Sequence, residues 1–271
     1  MSRIKNTLSA LKVNGETALI PYICAGDPHP KMTVELMHTL VESGANILEL
    51  GVPFSDPMAD GPVIQKAVER ALKSNVSLND VLEMVVEFRK NDLNTPVILM
   101  GYLNPIEAKG YVEFAEQASQ AGVDGVLTVD MPPEETGGDN GYLVALQNNN
   151  IDRIFLVAPT TPDYRLDEVN RQGSGFVYYV SLKGVTGSKD VDLAEVTEKV
   201  NQLKNKLGLP IGIGFGIRDS KTAEQMAQVG DAIIVGSALV QLIEDNQKLG
   251  KDTIKKAISS KMKTFKKAIQ A

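Results

Sequence analysis

The chain has a single cysteine, Cys24, so no disulfide can form within it. A lone thiol suits a reducing cytoplasm, which is the expected location. Tryptophan is absent and aromatics make up 5% of the 271 residues, so stacking platforms for nucleic-acid bases are not expected. The net charge of −6 argues the same way, because a surface that grips a phosphate backbone is basic. No run of about 18 apolar residues exists to span a membrane. Met1 to Lys12 is polar and amphipathic, without the apolar centre of a secretion signal. The two histidines, His29 and His38, lack ligand spacing to any acidic residue, and HExxH and CxxC are missing. No metal site is expected. A serine triad is not expected either, since no GxSxG elbow occurs.

What is present is alternation. Eight short, β-branched apolar runs recur: Ala18 to Tyr22, Ile47 to Gly51, Val97 to Met100, Gly125 to Val129, Ile154 to Val157, Phe176 to Val180, Ile211 to Gly214 and Ala232 to Val235. Near-continuous apolar strands belong to a parallel sheet covered by helices. Helical patterns separate them. Lys31 to Glu42 places Val34, Met37 and Val41 on one face, and Tyr111 to Ala121 does so with Val112, Ala115, Ala118 and Ala121. Leu166 to Gln172, Leu193 to Leu207, Thr222 to Val229 and Leu239 to Asp245 continue the series. Gly44, Gly122 and Gly230 stand where a left-handed residue ends a helix. Eight such units in one chain predict an α/β fold of the closed (β/α)₈, or TIM, barrel type, with residues 1–271 forming one domain. An extra helix over Ile4 to Leu11 is expected to cover the bottom of the barrel. The stretch between strands two and three holds two helix candidates, Val63 to Lys73 and Asn79 to Lys90, one more than a βα unit needs. A doubly wound sheet would also alternate, but no GxGxxG or Walker-type GxxxxGK follows the first strand. The glycine-rich strand ends come late instead.

Two features carry chemistry. Strand two reads Ile47-Leu48-Glu49-Leu50-Gly51, and alternation turns Glu49 away from its two leucines. With the leucines facing the helices, Glu49 faces the barrel interior near the C-terminal mouth. Burial raises a carboxyl pKa toward the range useful for proton transfer. The loop Gly51 to Pro62, GVPFSDPMADGP, follows. Its Asp60 falls near Glu49 if the loop folds over the mouth; a turn or capping role is the alternative for Asp60, and Asp56 reads as structural or interfacial. The second feature is glycine after strands seven and eight: Gly212, Gly214 and Gly216, then Gly236 with Ser237. That corner of a barrel commonly takes phosphate on backbone N–H groups and a helix N-terminus. After strand six, Gly184 to Gly187 flank Thr186 and suggest a lid, with Lys183 solvated.

GVPFSDPMADGP, Ser181 with Gly184 to Gly187, Gly214 to Ile217, Gly236-Ser237 and Ala25 to Pro28 together resemble the tryptophan synthase α subunit, in order and across nearly the whole chain. The resemblance implies a lyase that splits indole-3-glycerol phosphate into indole and glyceraldehyde 3-phosphate. It implies that Glu49 and Asp60 are the catalytic carboxylates. Gly187, Gly216, Gly236 and Ser237 are implied to hold phosphate. Tyr22, Met100, Tyr102, Leu127 and Tyr178 are implied to line the indole and glycerol pocket, and Thr186 belongs to the closing loop. Tyr22 stands where some members carry Phe, and Met100 where some carry Leu; Gly137 to Gly141 is glycine-rich for the family. The implied partner is a β subunit holding pyridoxal phosphate, in an α2β2 complex, with no cofactor in this chain. Two alternatives remain beside it: a stand-alone indole-releasing lyase, and a silent activator of the β subunit.

Overall fold

Eight parallel strands close on themselves in chain order: β1 (Ala18–Cys24), β2 (Leu48–Gly51), β3 (Val97–Gly101), β4 (Gly125–Thr128), β5 (Asp152–Val157), β6 (Val177–Tyr179), β7 (Ile211–Ile213) and β8 (Ala232–Val235). β8 returns to β1, with Ala18 beside Ala232. The structure, a computed structural model, describes residues 2–134, 141–180, 193–214 and 216–270. The expected closed barrel is therefore present, and the strand positions agree with the sequence pattern to within a few residues.

Alternation divides the strands into two faces. Leu19, Ile23, Leu48, Leu50, Val97 and Leu99 pack outward into the large cluster between sheet and helices. Ala18, Ile20, Ile47, Ile98, Leu127, Ile154, Phe176 and Tyr178 point inward and fill the barrel. Helix α1 (Arg3–Val13) supplies Ile4 and Leu8, one turn apart, to that inner cluster. It plugs the N-terminal end of the barrel, as the sequence predicts for Ile4 to Leu11. Its first turn is capped by Ser2, whose hydroxyl accepts from the Lys5 N–H at 3.2 Å.

The outer layer is α2 (Thr33–Glu42), α3 (Pro62–Leu72), α4 (Leu78–Arg89), α5 (Leu103–Lys109), α6 (Tyr111–Ala121), α7 (Tyr142–Asn148), α8 (Asp163–Gln172), α9 (Leu193–Lys206), α10 (Ser220–Ala227), α11 (Ser237–Asn246) and α12 (Lys251–Ile269). Both α3 and α4 lie between β2 and β3, so the expected extra helix is there. Ser77 and Asp80 start α4 with a reciprocal capping box.

The helical faces differ in detail from the pattern. In α2 the buried residues are Thr33, Leu36, Met37, Thr39 and Leu40, and Val34 and Val41 flank them half-buried. In α6 Phe114 takes the inner position and Val112 is exposed. Gly44 and Gly122 adopt φ of 103° and 91°, the left-handed helix ends expected. Gly230 does not; a Cβ there would press on the Ala232 carbonyl and the Ile213 side chain. Helix α12 has no counterpart in the sequence reading. Its buried Ile254, Ile258, Met262 and Phe265 recur at spacings of four and three, and it packs on α10, α11 and α2.

Candidate active site

Glu49 sits near the C-terminal end of β2 and is 1% exposed. The register places it beside Tyr22 on one side and Ile98 on the other. Among the described residues, neither carboxylate oxygen has a hydrogen-bond partner. A charge held there would lose hydration without compensation, so burial pushes the Glu49 carboxyl up to about 8, with the negative field of Asp60 adding to the shift. Near neutral pH this group carries its proton and can give it away.

Asp60 reaches the mouth because the loop after β2 is pinned to β3. Tyr102, at the start of α5, donates its hydroxyl to Asp60 Oδ2 at 3.1 Å. The Tyr102 hydroxyl oxygen in turn accepts the Ala59 N–H at 2.9 Å. Gln65 in α3 donates to the Asp60 carbonyl at 2.8 Å. Phe54 adds a ring contact to Tyr102, with centroids 5.2 Å apart. Burial raises the Asp60 carboxyl, and the Tyr102 hydrogen bond holds part of that rise back. Asp56 lies on the outer side of this loop, exposed, with the Ser55 hydroxyl donating to it at 2.6 Å. Behind the mouth, the fully buried Asp27 accepts from Arg70 of α3 at 2.6 and 3.0 Å, which ties the β1 loop to α3.

The aromatic residues enclose the carboxylates. Tyr22 and Tyr178 lie on the inner face, where burial raises both phenols, with the neighbouring carboxyls Glu49 and Asp60 adding to the rise when ionised. Leu127 is fully buried in the inner cluster, and half-buried Met100 packs beside it on β3. Two glycines that the sequence reading passed over as side-chain sites make room for the tyrosines. A Cβ at Gly51 would overlap the Tyr22 hydroxyl, and one at Gly214 would overlap the Tyr178 ring. The signal was available: each glycine lies on the inner face at a strand end, one strand from its tyrosine.

At the far side of the mouth, Gly236 precedes α11 and Ser237 begins it. The first N–H groups of that helix have no acceptor within it and carry its positive dipole end. Gly216 follows β7 with φ of 79°, a conformation that glycine adopts freely. Tyr22 joins this corner to the carboxylates, since a Cβ at Gly236 would touch the Tyr22 Cβ at 3.5 Å. Thr186, Gly187, Ser181, Lys183 and Gly184 lie outside the described residues, as do 137–140. Among the described residues, no group of three or more His, Cys, Asp or Glu is placed to hold a metal. His29 caps the short 3₁₀ turn at Pro30–Met32, and His38 packs on Phe88, both away from the carboxylates.

The family model described as tryptophan synthase alpha chain matches residues 8–270. The tryptophan synthase alpha chain of Hydrogenovibrio crunogenus is 65% identical over 269 residues, covering 99% of this chain and 98% of that one. That of Nitrosococcus oceani is 54% identical over 271 residues, covering 100% and 98%. The crystal structure of tryptophan synthase subunit alpha from Legionella pneumophila superposes with a TM-score of 0.93 at 47% identity, covering 100% of this chain and 99% of that one. The chain therefore belongs to the tryptophan synthase alpha chain family, carbon–carbon lyases that cleave indole-3-glycerol phosphate, carry no cofactor of their own and work with a β subunit that holds pyridoxal phosphate.

Proposed function

We propose that Glu49 moves both protons of the cleavage and that Asp60 steadies the indole ring. The observation that carries this is the Glu49 carboxyl, with both oxygens buried and unpartnered, beside Asp60. Glu49 in its acid form gives its proton to indole C3. The ring nitrogen then bears positive charge, and Asp60 accepts a hydrogen bond from the indole N–H, which stabilises that charge. The C3–C1′ bond breaks, its electrons returning to the ring. The C1′ hydroxyl becomes the aldehyde of glyceraldehyde 3-phosphate and loses its proton to the Glu49 carboxylate. Glu49 ends the cycle as it began, so protons balance.

Gly216, Gly236 and Ser237 fit the phosphate, through backbone N–H groups and the α11 N-terminus. Gly187 completes that set and Thr186 the closing loop in this reading. Tyr22, Met100, Tyr102, Leu127 and Tyr178 shape the pocket. The exposed face of the β2 loop, with Asp56 and the 77% exposed Met58, offers a surface to the β subunit in an α2β2 assembly. One domain over residues 1–271 and a cytoplasmic location complete the reading. The buried free thiol of Cys24 suits that location, and no helix among the described residues is long and apolar enough to cross a membrane.

The test is indole release from indole-3-glycerol phosphate by the purified chain, with and without β subunit, for the native protein and Glu49→Gln. Release by the native protein and its loss in the variant is the expected result. Substantial activity in the variant removes Glu49 from the chemistry.

A further inference from the structure

The Tyr22 hydroxyl has no assigned work. It is the one polar atom of a side chain that otherwise packs as a core aromatic, 6% exposed. Yet among the described residues no hydrogen bond is made to it, and it is not among the polar atoms sealed from solvent. A buried tyrosine normally finds a partner for its hydroxyl. Tyr142 and Tyr102 show the contrast within this chain. Tyr142 shares a hydrogen bond with Thr128 at 2.8 Å, and Tyr102 holds Ala59 and Asp60. The Tyr22 hydroxyl is open to the mouth and has no partner among the described residues.

Its position narrows what that partner is. The base of the side chain lies against Gly236, where the phosphate corner begins. The ring crosses to β2, where its hydroxyl occupies the space a Cβ would take at Gly51, two residues beyond Glu49. Tyr22 thus spans the interval between the phosphate site and the proton-transfer site. On the substrate, that same interval is the glycerol chain. The hydroxyl on C1′ is the one that Glu49 deprotonates. The hydroxyl on C2′ lies one carbon nearer the phosphate and keeps its proton through the reaction.

We infer that the Tyr22 hydroxyl hydrogen-bonds the C2′ hydroxyl of the glycerol chain and so selects for a hydroxylated linker between indole and phosphate. This rests on the substrate reading above. Tyr22 acts as a specificity residue: its contact is the same before and after the C3–C1′ bond breaks. Such uniform binding changes KM and leaves kcat in place.

Tyr22→Phe removes one oxygen and keeps the ring, so the packing on Gly51 and Gly236 is retained. Two ligands complete the test, indole-3-glycerol phosphate and indole-3-propyl phosphate, which has no chain hydroxyls. In Tyr22→Phe, KM for indole-3-glycerol phosphate is expected to rise about five- to tenfold, with kcat within about twofold, the scale of one neutral hydrogen bond. The inhibition constant of indole-3-propyl phosphate is expected to stay unchanged. Equal weakening of both ligands, no change in either, or a fall in kcat without a rise in KM overturns the inference. Competitive inhibition of the native protein by the propyl ester separates the two readings: its presence keeps the indole and phosphate sites in place even if the Tyr22 assignment fails.

Discussion

Two buried carboxylates at opposite ends of the barrel have opposite surroundings. At the N-terminal end Asp124, 5% exposed, is saturated: Arg3 approaches one oxygen at 2.8 Å, and Arg89 and the Val97 N–H approach the other at 2.8 and 2.9 Å. It ties α1, α4 and β3 together. At the C-terminal mouth Glu49 is as deeply buried and has nothing on either oxygen. Among the described residues it is the one carboxylate with both oxygens sealed and unpartnered. A buried charge with partners holds structure together. A buried acid without them is left able to give up and take back a proton, at a cost in stability that the rest of the barrel absorbs.

The comparison is broken most directly by neutralising each acid. Glu49→Gln is expected to lower indole release by about a thousandfold or more, within the range general acid–base groups supply. The same change is expected to stabilise the fold at alkaline pH. The folded protein holds the Glu49 proton up to about pH 8, whereas the unfolded chain loses it near 4.5. The folded state therefore binds the extra proton between those values, and this group's contribution falls as pH rises through that window. Thermal melts should place Glu49→Gln above the native protein at pH 8 to 9, by up to a few kcal/mol, and level with it near pH 4.5. Asp124→Asn should do the reverse. It strands Arg3 and Arg89, costing about 3–5 kcal/mol in urea melts, while the turnover of the folded fraction is unchanged. If both variants behaved alike, the contrast between the two ends would be lost.

Smaller effects sharpen the picture at the mouth. Asp60→Asn keeps the loop contacts to Tyr102 and Gln65 but accepts less well from the indole N–H. We expect kcat to drop about a hundredfold, the scale seen when one transition-state contact is removed, with inorganic phosphate affinity unchanged by calorimetry. An unchanged rate removes Asp60 from the mechanism. Tyr102→Phe strands the Ala59 N–H and frees Asp60 Oδ2. A loss of about two- to tenfold in kcat/KM is expected, with the Asp60 carboxyl titrating higher once its donor is gone.

Much of the site was legible because strand alternation has a strict period. Leu48 and Leu50 fixed the direction of Glu49, and GVPFSDPMADGP announced a loop with a second acid. The orientation of that loop was not legible, because it depends on Tyr102, 42 residues away, and on Gln65 in the next helix. Gly51 and Gly214 read in sequence as a loop start and a phosphate-corner glycine, whereas the structure adds a second role, the space they leave for Tyr22 and Tyr178 across the sheet. Helix α12 went unread although its apolar spacing is helical. Lysines crowd its outer face and hide the stripe formed by Ile254, Ile258, Met262 and Phe265. The saturation of Asp124 was beyond reach for the same reason as the loop. Its partners come from residues 3, 89 and 97, and only the closed barrel brings them together.

The central claim is that Glu49 is protonated in the resting enzyme at neutral pH. Its side-chain carboxyl can be followed directly by carbon-13 NMR, with Glu49→Gln identifying the resonance. A midpoint near pH 8, matched by a fall in kcat/KM as pH rises through the same value, is the predicted result. A midpoint near 4.5, with cleavage unaffected between pH 7 and about 9, would contradict it.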